Sequence, residues 1–117
     1  MAAILLPVAE WPTAHTLTLA TTWTRCDLDP RTEVVTVDNE DISIAVYVAF
    51  DKMGLPASVQ SPTDGGAVGS SRIRVPAGVA RAFRVKAIRG DGVSAAIYVA
   101  SASGTPTCTV IQELGPA

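Results

Sequence analysis

The residues of this chain best suited to chemistry are few: one histidine, His15, and two cysteines, Cys26 and Cys108. A nucleophilic triad needs a base held by an orienting group and set against its nucleophile. His15 sits in a threonine-rich segment with no supporting motif, which reads as a structural residue. Zinc would take about four ligands from Cys and His, more than this chain holds. The cysteines lie 82 positions apart, and two thiols in a chain with a real core do not imply a disulfide scaffold. They read as reduced, buried thiols packing as small hydrophobes, although both could sit in strands and meet. Asp27-x-Asp29 and Asp38-Asn-Glu-Asp41 offer oxygen ligands but follow no calcium-loop pattern, and turn capping explains them more simply. Gly65-Gly66-Ala-Val-Gly69 lacks the lysine of a phosphate loop. Arg89-Gly-Asp91 spells an adhesion tripeptide, yet Gly-Asp-Gly is also what a hairpin turn requires. The residues thus predict no catalytic set, no metal and no cofactor, and a protein that is not an enzyme.

Charge has a direction along the chain. Residues 1–60 carry eight acids against three bases, and residues 61–117 three acids against six bases, within a net charge of −2. Arg72, Arg74, Arg84 and Lys86 alternate on two expected strands, and if those strands are neighbours they make a basic patch on one side of a sheet. Seven of the nine bases are arginine, whose planar fork suits fixed interface pairs. The patch therefore predicts contact with an acidic partner or with the acidic half of a neighbouring copy. Direct nucleic-acid binding is not expected, because the net charge is negative and no aromatic platform interleaves with the bases.

The elements that would position these residues are strands. Period-2 alternation dominates. Ile42, Ile44, Val46, Val48 and Phe50 share one face of a nine-residue run, and Ser43, Ala45, Tyr47 and Ala49 the other, which is small enough to be covered as well. Glu33–Asp38 reads as a strand, with Asp38–Asp41 as a tight turn joining it to that run. Thr16–Thr24 alternates with Leu17 and Leu19 on one face, and Asp27–Pro30 breaks the ladder. The stretch from Asp51 to Ser70 is long and irregular, and such loops usually carry contacts. Arg72–Pro76, Ala82–Ile88 (Phe83, Val85 and Ala87 inward), Ser94–Ala100 and Cys108–Glu113 complete the set. The expected core includes Ile42, Ile44, Val46, Val48, Phe83, Val85, Ile97 and Val99. The fold class is therefore all-β: an antiparallel β-sandwich, jelly-roll or immunoglobulin-like, of about seven to eight strands.

One domain is expected over residues 16–114, with an apolar extended arm at 1–15 and a tail at 115–117. Apolar runs fall short of the ~20 residues a membrane helix needs. The arm lacks a basic stretch and a small-x-small cleavage site, so it does not read as a signal peptide. Ile4, Leu5, Leu6, Val8 and Trp11, in a segment that Pro7 and Pro12 keep from forming a long helix, predict an extended stretch lying across a neighbouring subunit.

Three stretches carry a family resemblance: Val35-Thr-Val-Asp-Asn39 leading into Ile44–Ala49; Ile73-Arg-Val-Pro-Ala-Gly78 leading into Phe83-Arg-Val85; and Ile97–Pro106 leading into Val110–Leu114. Over residues 33 to 114 the chain resembles the small β-sandwich virion structural proteins of tailed bacteriophages. The resemblance implies a capsid decoration or cement protein, a homo-oligomer whose partners are the major capsid protein or other virion subunits, made in a bacterial cytoplasm and residing in the virion. The alternative is a tail-fibre, spike or neck component with a receptor- or carbohydrate-binding sandwich. Ile4, Leu5, Leu6, Trp11, Arg72, Arg74, Arg84 and Lys86 are the expected subunit contacts.

Overall fold

Alternation of β-branched and apolar residues produces nine strands in the computed structural model, which describes residues 4–5, 13–29, 32–50, 62–69, 72–85 and 96–114. They are β1 (Ile4–Leu5), β2 (Thr13–Thr18), β3 (Thr24–Asp27), β4 (Thr32–Asp38), β5 (Val46–Phe50), β6 (Ile73–Val75), β7 (Ala80–Arg84), β8 (Ala96–Ser101) and β9 (Thr107–Leu114). One sheet has the order β1-β3-β8-β5-β6 and the other β2-β9-β4-β7. All pairings are antiparallel except that of β1 with β3.

The pairings nest. β5 pairs with β6, β4 with β7, β3 with β8 and β2 with β9. That is one long antiparallel ribbon, closed at its middle by the β5–β6 connection. Rolling the ribbon adds the β4–β9 and β5–β8 pairs and divides the strands between two sheets. A rolled ribbon of eight strands in two sheets is the jelly-roll form of the β-sandwich.

Between the sheets lies an almost wholly apolar layer. Leu17, Val35, Val37, Phe83, Cys108 and Val110 come from the four-stranded sheet, and Cys26, Val46, Val48, Phe50, Val75, Ile97 and Val99 from the other. Phe50 and Phe83 meet edge to face across it, with ring centroids 5.3 Å apart. Gln112, a polar residue buried in the sandwich, is matched. The Gln112 side-chain oxygen, fully buried, accepts from the Asp29 amide (3.0 Å) and the Thr32 hydroxyl (2.9 Å).

Several sequence expectations need correction. The run at 42–50 begins as a strand only at Val46, and Ile42 is 94% exposed while Ile44 is half-buried. The Asp41 carboxylate accepts from the amides of Ser43 and Ile44, which takes those groups out of any ladder. Asp38–Asp41 joins no neighbouring pair, because β4 and β5 belong to different sheets. The alternating run at 16–24 is two strands, and the chain crosses between sheets from Leu19 to Trp23. β2 begins at Thr13, inside the expected arm. The backbone of Ile4–Leu5 pairs with that of Cys26 and Asp27, where β3 offers an edge.

Candidate functional site

The residues first suspected of chemistry are held apart or occupied. His15 stands on β2 opposite Val110, half-buried, with its Nε2 enclosed and without a hydrogen-bond partner. Cys26 and Cys108 face the core from opposite sheets as free thiols. Burial, first, and neighbouring negative groups push both up to about 12, which leaves them protonated and poor nucleophiles near neutral pH. Asp27 is ion-paired with Arg25 at 2.8 Å. Among the described residues no three of His, Cys, Asp and Glu gather as a metal site. Gly65 and Gly66 form a turn bound to Trp23: the Gly65 amide donates to the Trp23 carbonyl, and the Trp23 amide to the Gly66 carbonyl. Gly65 has φ 80°, which favours glycine there. Arg89-Gly-Asp91 lies outside the described residues.

That turn belongs to residues 62–69, which lie across the outer face of the five-stranded sheet. Asp64 accepts from the Arg25 amide at 3.0 Å, Thr22 bridges to Ala67, and Val68 packs on a second apolar cluster of Trp23, Ala49, Tyr98 and Ala100. Trp23 and Tyr98 meet edge to face at 6.5 Å and are each 2% exposed. This covering explains why all six residues of β8 are buried, and it bears out the expectation that the second face of β5 is covered.

The expected basic patch does not form on one sheet. Arg72 and Arg74 lie at and beside β6 in the five-stranded sheet, Arg84 on β7 in the four-stranded one. The Pro76–Val79 turn between β6 and β7 carries the chain from one sheet to the other, so their outward residues diverge. Arg84 pairs with Glu33 of its own chain at 3.3 Å. Arg72 stacks over Tyr47, 4.4 Å from the ring centroid, and Tyr47 faces Arg74 across the strand pair. Leu6, Trp11 and Lys86 lie outside the described residues.

A surface that sequence reasoning missed lies at one end of the sandwich, where four inter-sheet connections are bonded together. The Leu19 amide donates to the Pro106 carbonyl and the Ala102 amide to that of Ala45, which ties β2–β3 to β8–β9 and β8–β9 to β4–β5. Asn39, fully buried, ties β4–β5 to β6–β7. Its side-chain amide donates to the carbonyls of Ile44, Val75 and Pro76 at 2.9, 3.1 and 3.2 Å, and its backbone amide to Val79 at 3.0 Å. The two exposed large hydrophobic residues among those described, Ile42 and Val79 (39% exposed), both stand here. The signal available in the sequence is Asp41-Ile42-Ser43, in which an Asp oxygen captures the amide two residues on.

The fold and this surface define a jelly-roll β-sandwich with a bonded loop end that presents apolar side chains. Compared with protein-family models, curated proteins and solved structures, the chain has no match.

Proposed function

We propose that this chain is a non-enzymatic structural subunit of a tailed-phage virion, most specifically a capsid decoration or cement protein that bridges shell subunits. The observation that carries the reading is the nested strand order, since rolled ribbons of this kind recur in viral shell proteins. They recur in lectins as well, so fold alone does not decide. What favours assembly over sugar recognition is the placement of side chains. Trp23 and Tyr98, which a sugar platform would display, are buried, while Ile42 and Val79 stand out at the loop end. The bridging mechanism is burial of loop-end apolar surface on a neighbouring subunit, with Arg72 and Arg74, both exposed, orienting the contact. Rim charges of this kind add specificity more than affinity.

The test uses particles assembled without the protein. They are expected to form and adsorb to cells but to burst at lower temperature or under milder osmotic shock. Particles that are equally robust and fail to adsorb would replace this reading with the fibre or spike alternative.

A further inference from the structure

We infer that the loop end is the surface through which two copies of this chain meet, the acidic β4–β5 connection of one against the β6–β7 turn of the next and the arginines that flank it. This deepens the assembly reading and rests on it in taking the partner to be another shell-bound copy. Ile42 is almost wholly exposed, yet it is held rather than loose. Asp41 Oδ1 accepts from the Ser43 amide (2.8 Å), the Ser43 hydroxyl (3.2 Å) and the Ile44 amide (2.8 Å), and Asn39 Oδ1 accepts from the Asp41 amide (3.2 Å). Asn39 then fastens the base of this loop to the neighbouring turn. In that turn the Val79 amide donates to the Pro76 carbonyl at 3.2 Å, and Gly78 takes φ 73°. An apolar side chain displayed on a bonded support loses little conformational freedom when it docks, which is what pre-organisation means for binding.

Charge identifies the occupant. Glu40 is exposed immediately before the tip, and Arg74 and Arg81 are exposed two residues outside either end of the Pro76–Val79 turn. Among the described residues Glu40 accepts a hydroxyl, from Thr109. The described residues supply no opposite charge within ion-pair distance of Glu40, Arg74 or Arg81; Arg81 instead lies over the Phe83 ring at 5.6 Å. A surface of one sign would repel its own copy. A surface with acid on one loop, an arginine on each of the two strands leading into and out of the adjacent turn, and an apolar residue on both loop and turn fits a rotated copy of itself, with each sign answered and both apolar side chains covered.

Sedimentation velocity of the purified full-length chain over a concentration series tests this. Reversible self-association is expected. Ile42→Ser should weaken it about tenfold or more, from the methylenes no longer buried, with an unchanged melting temperature because Ile42 makes no core contact. Glu40→Arg alone, or Arg74→Glu with Arg81→Glu alone, should weaken it, and the triple variant should recover most of the loss. A chain that stays monomeric throughout, or one that associates equally well with Ser at 42, overturns the inference. A monomer that still decorates particles overturns it as well, while leaving the assembly reading standing.

Discussion

On the outer face of the five-stranded sheet, Trp23 and Tyr98 are 2% exposed beneath residues 62–69; on the outer face of the four-stranded sheet, Ala14, Thr16 and Thr18 lie open to solvent beside Thr107. Both sheets turn an apolar face inward, so the inner layer does not distinguish them. Among the described residues, the segment that covers the first face is 62–69, which belongs to neither sheet and is pinned through Asp64 and the Gly65-Gly66 turn. The central strand β8 of one sheet is therefore buried on both sides, while β2 of the other alternates between buried and open. A strand's second face is thus covered where a distant loop lands on it, and small or apolar residues at the strand's alternate positions admit that loop.

The largest expected effect lies in the layer both sheets share. Val46→Asp places an unpaired charge where the residue is fully buried and should abolish folding, read as loss of dispersed amide resonances or of a cooperative melt. Next, Trp23→Ala should cost ~3–5 kcal/mol in urea unfolding, as large aromatic truncations do. Thr16→Ala, on the open face, should stay within about 0.5 kcal/mol; equal costs would break the comparison between the faces. Asp64→Ala removes the acceptor of the Arg25 amide and should cost about 1–2 kcal/mol, with faster exchange at Arg25. Against a thiol reagent, Cys26 and Cys108 should react only at the unfolding rate, because both are raised to about 12 by burial.

The smallest effect is a pH dependence at the loop end. Bonds from the amides of Ser43 and Ile44 hold Asp41 below its ordinary value of 3.8. A carboxylate depressed in the folded state contributes stability above the unfolded value and loses it as pH falls through the folded one. The stability gap between the native chain and Asp41→Ala should therefore be constant above about pH 5 and close in acid below 3.8. A gap that persists unchanged to the lowest pH would mean that Asp41 acts without its charge.

The strands were the most legible feature. β5 and β8 follow from alternation of Val, Ile and Ala, and Val46, Val48, Phe50, Ile97 and Val99 face inward as the pattern selects; β9 was legible as a strand, but it buries Gln112 beside Cys108 and Val110 and leaves Ile111 half-buried on its other face. What alternation could not foresee has local and non-local causes. Locally, Asp41 diverts the amides of Ser43 and Ile44, so Ile42 leaves a strand to which its own side chain is well suited. The threonines from 16 to 24 keep a strand-like rhythm straight through a crossing between sheets, because Thr favours extended backbone in both. Non-locally, which strands pair depends on contacts between the two ends of the chain, as in β2 with β9, and no residue spacing encodes that. The arginines show the same limit: their alternation was readable, but their division between sheets follows from the β6–β7 turn.

The central claim, that this is a shell subunit, is tested most directly by counting. Quantitative mass spectrometry of particles purified from cells carrying the gene should find the chain in numbers comparable to the major shell subunit. Its absence from the particle, or a handful of copies at one vertex or fibre tip, would contradict the account.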